Sequence, residues 1–270
     1  MAENGLFSGF ARVFRDEVDS TMDWARRETD GGSFPDGVVC IAGHQSAGRG
    51  RVSGRTWFDQ AGESLLCTVA VPVESFRGAG GTSPPPGEIS LRTGLGIAQA
   101  IEQFVDRDIV QIKWPNDILI TGKKVAGLLL EQTGTRVYIG FGINISQHEF
   151  PEEIRQRATA LTRHTLRPPG PDQLVESVLH SISEAYRSAR WLSDAEARLW
   201  SLGARVPFRA SSFPFDVTGT IDGLERDGAL RVTGVAEADR GGVRFPGSFP
   251  EPWLCYSGEI LPAGWVRSNE

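Results

Sequence analysis

Short apolar runs broken by glycine and proline dominate the first three quarters of the chain. Residues 14–18 predict a short strand, and Asp19 and Ser20 offer capping oxygens to a helix over 21–29. The run VVCIA at 38–42 is continuously apolar, as buried strands are, and 65–71 predicts another strand. Leu91, Leu95, Ala98, Ile101 and Val105 share one helical face over 88–105. Four strands are predicted next, at 109–113, 117–120, 124–132 and 136–145. Trp114-Pro115-Asn116 separates the first two, and Thr121-Gly122-Lys123 makes a hairpin of the next pair. Four strands in such close succession favour antiparallel or mixed pairing over helical crossovers.

Residues 172–190 predict an amphipathic helix with Leu174, Val178, Ile182 and Ala185 on its stripe, and 193–202 opens on a capping-box pattern, Ser193 with Glu196. After Gly203 the character changes. Short strands at 206–208, 219–221, 229–232 and 259–260, separated by turns such as Arg226-Asp227-Gly228, predict a small β-barrel. The expected division is therefore 1–203 and 204–270. Two loops stand out. Residues 43–62 are long and polar, with Arg49, Arg51 and Arg55 set among glycines, and loops of that length are functional or disordered. Residues 78–87 (GAGGTSPPPG) read as a flexible surface loop without chemistry.

Composition narrows the function. With 270 residues and 40% hydrophobic content, the chain can bury a substantial core. The formal net charge of −6 speaks against a nucleic-acid partner. Cys40, Cys67 and Cys255 form no C-x-x-C pair, which suits a reducing compartment, and the four histidines show no zinc spacing. Neither a secretory leader nor a membrane-length apolar run is visible, so the expectation is a cytoplasmic protein without a membrane partner.

Four segments carry candidate chemistry. In HQSAGRGR (44–51), running on to Arg55-Thr56-Trp57, glycines admit an anion close to backbone amides and arginines supply forked donors for phosphate or carboxylate. A solvated basic loop is the plainer alternative. In KWPND (113–117) followed by KKVAG (123–127), polar side chains converge at strand ends. There the plainer reading of Lys124 is an ion pair with Asp117. GFGIN (140–144) lacks the setting of a dinucleotide fingerprint, and its glycines fit a strand that needs close packing. Asp19-Ser20-Thr21 serves either as a helix cap or as an N–H-rich ligand contact.

The ordered set GHQSAGRGR, RTW, KWPND, KKVAGLL and GFGIN, with Asp19-Ser20-Thr21 before it and IDGLERDGAL and YSGEI after it, resembles the biotin protein ligase family along nearly the whole chain. The resemblance implies an α+β fold: a mixed, largely antiparallel sheet with flanking helices, like that of class II aminoacyl-tRNA synthetases, plus a small C-terminal SH3-like β-barrel. It implies ATP-dependent formation of biotinyl-5'-AMP and transfer of biotin to a lysine of a biotin carboxyl carrier protein. Mg²⁺ would be held mainly by the ATP phosphates, with no protein metal site. Biotin would contact Ser20, Thr21, Met22, Gln45, Arg49, Gly50, Arg51, Lys124 and Gly127. ATP would contact Arg51, Arg55, Trp57, Asn116, Asp117, Lys124 and Asn144. Lys124, Arg51 and Arg49 would act in catalysis.

Met22 departs from the family's usual Asn, and spacing around Arg55 differs from some members. The form expected is the one without an N-terminal DNA-binding domain, as monomer or homodimer, since few residues precede the first predicted strand. Lipoate protein ligases share the fold and remain an alternative, as does a non-catalytic biotin sensor.

Overall fold

The computed structural model describes residues 5–52, 54–77, 82–210, 216–237 and 252–261. Residues 78–81 of the 78–87 loop, the first four residues and parts of the segment after 210 lie outside them.

A seven-stranded sheet organises the chain up to residue 144. Its strands are β1 (Ala11–Val18), β2 (Val38–Gln45), β3 (Ser64–Pro72), β4 (Val110–Lys113), β5 (Asp117–Ile120), β6 (Lys123–Thr133) and β7 (Arg136–Asn144). Their order is β1-β2-β3-β7-β6-β5-β4. Only β1 and β2 run parallel, and the other pairs are antiparallel. The sheet is thus mixed and largely antiparallel, as expected. Central β3 and β7 are buried along almost their whole length, which explains their largely apolar sequence.

Helix α1 (Thr21–Asp30) packs on β2 and β3 through Met22, Trp24 and Ala25. On the opposite side, α2 (Pro86–Ile101) lies against α4 (Pro171–Arg187), each opening on the proline that suits a first helical turn. The short helices α3 (Glu152–Arg155) and α5 (Trp191–Glu196) complete this part. A second, antiparallel sheet follows, with β8 (Arg205–Ala210), β9 (Asp216–Leu224), β10 (Leu230–Glu237), β11 (Trp253–Cys255) and β12 (Gly258–Ile260) in the order β11-β10-β9-β8-β12.

The two sheets share one apolar core, which runs through Trp191, Ala195 and Leu199 to Val206, Phe208 and Ile221. Trp114 Nε1 donates to the Gly228 carbonyl at 3.0 Å, and Gly87 packs so closely on Gly228 that neither position has room for a side chain.

Three local expectations need correction. Strand β2 continues past Ala42 to Gln45, because its backbone pairs with β1 as far as Val18↔Gln45 whatever the polarity of His44 and Gln45. Ser20 stands at the N-cap of α1 but makes no side-chain cap. Asp19 Oδ1 accepts from the Ser20 N–H, and the Thr21 N–H is taken by Gln45 Oε1 from a neighbouring strand. The predicted capping box at Ser193 does not form. Helix α5 starts earlier, Ser193 Oγ donates to the Arg190 carbonyl, and Glu196 accepts instead from the Leu224 N–H in the second sheet. Helix α3 was not foreseen, being too short to show a period.

Candidate active site

A cleft opens over the middle of the seven-stranded sheet. Among the expected residues it gathers Ser20, Thr21, Met22, Gln45, Arg49, Gly50, Arg51, Trp57, Asn116, Lys124 and Gly127. These come from the start of α1, the end of β2, the loop after β2, the turn before β5, and β6. Only the sheet brings them to one place.

One end of the cleft is a hydrogen-bonded cluster. Gln45 Oε1 accepts from the Thr21 N–H at 2.8 Å and from Thr21 Oγ1 at 3.0 Å. Thr68 Oγ1 donates to Thr21 Oγ1 at 2.9 Å. Behind Gln45, Asp59 Oδ2 lies 2.8 Å from His44 Nδ1 and accepts from the Gln45 N–H at 3.4 Å. Asp19, next to this cluster, has its carboxyl lowered to about 2, chiefly by the hydrogen bond from Arg27, which outweighs the opposing effect of burial, and further by the Ser20 N–H and the charge of Arg27.

Strand β7 supplies the floor through the absence of side chains. A Cβ on Gly140 would meet the Met22 methyl at 2.8 Å, and one on Gly142 would meet Trp57 Cε2 at 2.5 Å. The close-packing reading of GFGIN thus holds for both glycines. Met22 is buried and fills the space over Gly140. Trp57 lies over Gly142, with its indole N–H buried and unpartnered.

Lys124 stands across the cleft. A register shift between Ile118 and Leu119 in the β5–β6 pairing marks an irregularity there, the device by which strands re-aim side chains. The Lys124 backbone is clamped by Arg157 and Thr159. Its Nζ lies 2.6 Å from Asp117 Oδ1 and 5.5 Å from the Trp57 ring centre. The ion pair named as the plainer reading is therefore real, and it coexists with a place in the cleft wall. Asn116 also lines the cleft, held by reciprocal bonds with Leu128: its Nδ2 donates to the Leu128 carbonyl and its own carbonyl accepts from the Leu128 N–H.

The arginine-rich loop is tied at three points. Arg49 pairs with Asp23 at 2.7 Å, Arg51 Nη2 donates to the Gly258 carbonyl at 2.5 Å, and Arg55 pairs with Glu259 at 3.0 Å. Burial pushes the Glu259 carboxyl up, but the Arg55 hydrogen bond and the charges of Lys113 and Arg51 leave it below its ordinary value. Burial lowers Lys113.

Three expected residues do not line the cleft. Arg55 turns to Glu259, Asp117 sits behind Lys124, and Asn144 is buried with its Nδ2 donating to the Thr159 carbonyl. Conversely, the expected site set lacked Thr68, Leu128, Leu129, Gly140, Phe141 and Gly142, which also line the cleft. Thr68 left a signal as the one polar residue inside the apolar run 65–71, and residues 140–142 left one in the GFGIN segment.

Residues 15–144 match the biotin/lipoate A/B protein ligase family. The chain is 30% identical over 213 residues to the biotin–[acetyl-CoA-carboxylase] ligase of Mycobacterium tuberculosis, covering 74% of each chain. It is 29% identical over 233 residues to the bifunctional ligase/repressor BirA of Bacillus subtilis, covering 81% of this chain and 68% of that protein. The fold is similar to that of a biotin protein ligase from Aquifex aeolicus solved in complex with biotin and ATP. There the TM-score is 0.70 at 28% identity, with 86% of this chain and 96% of that chain covered.

Proposed function

The chain belongs to the biotin protein ligase family, and from that premise we propose that it joins biotin to a lysine of a biotin carboxyl carrier domain in two half-reactions. The observation that carries this reading is the composition of one cleft: a fixed amide–hydroxyl pair, Gln45 and Thr21, on one side and the ammonium of Lys124 on the other, with the glycine-arginine strip 49–51 between them.

In the first half-reaction a carboxylate oxygen of biotin attacks the α-phosphorus of ATP and pyrophosphate leaves. Charge grows on the phosphoryl oxygens as the bond to pyrophosphate breaks, and fixed cations nearby lower that barrier. Lys124 takes this role, helped by Arg49 and Arg51 once they exchange Asp23 and the Gly258 carbonyl for ligand oxygens. Ser20, Thr21 and Gln45 hold the ureido ring, with Met22, Gly50 and Gly127 shaping the space around the ligand. Trp57 and Asn116 bound the nucleotide side, Asp117 acts through Lys124, and Arg55 through its tie to Glu259. Asn144 supports the wall by anchoring the 159 backbone. Mg²⁺ brought by ATP would be held mainly by its phosphates and would neutralise their charge as pyrophosphate leaves.

In the second half-reaction the neutral amine of the acceptor lysine attacks the acyl carbon and AMP leaves, so no enzyme nucleophile is needed. Catalysis is assigned to 1–203, with 204–270 as a small second domain.

Biotin-dependent exchange of labelled pyrophosphate into ATP tests the proposal, with lipoate and octanoate as controls. Exchange with biotin alone is expected. Exchange with lipoate alone would overturn it in favour of the lipoate reading. Biotin binding without exchange would leave a sensor.

A further inference from the structure

Thr68 sits in the middle of β3, fully buried, paired in register with Gly140 on one side and Cys40 on the other. Its neighbours along the strand, Leu65, Leu66, Cys67, Val69, Ala70 and Val71, are all apolar. Valine has the same shape and would pack there without a polar atom to satisfy, so the hydroxyl needs a reason.

Proton counting supplies one. The Thr21 backbone N–H can only donate, so the Gln45 atom facing it at 2.8 Å must be the amide oxygen. That oxygen can only accept, so the single proton of the Thr21 hydroxyl points at it across 3.0 Å. Thr21 Oγ1 is then an acceptor in every other direction, and the proton between it and Thr68 Oγ1 belongs to Thr68. With its oxygen occupied twice, the Gln45 side chain has only its NH₂ left to offer the cleft. Thr21 has only a lone pair left.

We infer that Thr68 aims the ligand-facing lone pair of Thr21: Gln45 takes the Thr21 proton, the Thr68 proton takes one lone pair of Thr21 Oγ1, and the remaining lone pair faces the bound molecule beside the Gln45 NH₂. Such a pocket end suits a group that presents an N–H beside a C=O, as a cyclic urea does. Thr68 is therefore a positioning residue, acting through Thr21. Without the Thr68 proton, Thr21 Oγ1 still donates to Gln45, but nothing fixes which of its two lone pairs meets the ligand N–H. This inference rests on the proposed reading of the ligand as biotin.

The test compares Thr68→Val with Thr68→Ser in biotin-dependent pyrophosphate exchange. Thr68→Val keeps the shape and removes the donor. It should raise the KM for biotin about 10-fold, the effect of one lost hydrogen bond, while kcat and the KM for ATP move less than about twofold. Thr68→Ser keeps the donor and should stay within about threefold of wild type. A packing role predicts the reverse order, Ser worse than Val, and that order would overturn the inference. So would an unchanged biotin KM in Thr68→Val while wild type is active, and that result would leave the biotin reading intact. A wild-type protein with no biotin-dependent exchange would instead overturn the biotin reading and this inference with it.

Discussion

A Cβ on Gly142 would stand 2.5 Å from the Trp57 ring, and one on Gly140 2.8 Å from the Met22 methyl, so both glycines are fixed by what lies over them rather than by backbone conformation. Gly142→Ala must displace Trp57. The expected result is a several-fold higher KM for ATP and a loss of about 1–3 kcal/mol of stability in urea unfolding. An unaltered ATP KM would remove Trp57 from the nucleotide side. Lys124→Ala removes the ammonium and also leaves Asp117 without its 2.6 Å partner. Exchange should fall about 10²–10³-fold. Cysteine chemistry has no part in the reaction as proposed. Burial pushes the Cys40 thiol up to about 12 and Cys67 well above its ordinary value. Native protein at pH 8 should therefore resist alkylation by iodoacetamide at both positions, and Cys67→Ala should keep its exchange activity. Rapid alkylation at Cys67, or a folded but inactive Cys67→Ala, would contradict the mechanism.

The beginning of α1 shows how an element acquires a function beyond its own stability. Its first N–H is satisfied by Gln45 of β2 instead of by Ser20, so helix and strand are locked at the same point that meets the ligand. Arg27, in the last turn of α1, holds Asp19 through two bonds of 2.8 and 2.7 Å. Because the folded carboxyl lies near 2, below its ordinary 3.8, its contribution is complete above about pH 4 and is lost as pH falls through 2. Both partners are about half exposed, so solvent screening keeps that contribution small. The clearer readout is the carboxyl itself. Arg27→Ala should raise the Asp19 titration midpoint toward the ordinary carboxylate range, followed by NMR of its side chain. A midpoint that stays near 2 would show that the Ser20 N–H alone suffices.

At the scale of the molecule, the second sheet is joined to the first by three kinds of contact: a continuous apolar core, the Trp114–Gly228 hydrogen bond, and the arginines of the 46–62 loop reaching Gly258 and Glu259. Gly228 combines a φ of +92° with backbone packing against Gly87, so Gly228→Ala strains the turn between β9 and β10 and wedges it away from α2. A loss of at least about 1–3 kcal/mol and faster proteolysis between the sheets are expected. Equal stability would mean that the interface yields without cost.

What the sequence by itself determined is the set of elements and the chemical types. Continuous apolar runs located the buried strands β2, β3 and β7, and helical periodicity the helices α2 and α4, because those signals are local. Glycine-arginine and lysine-rich segments marked the chemistry for the same reason. Pairing was not local, and only the tertiary structure decided it. Strand register carried β2 on to Gln45, turned the Ser193–Glu196 pattern into a contact with β9, and sent Arg55 to Glu259, 204 residues away in sequence. It also put Thr68 within reach of Thr21, 47 residues away. A hydrogen bond between distant residues leaves no period in the sequence, so a lone threonine in an apolar strand becomes legible as part of a binding site only after the sheet is assembled.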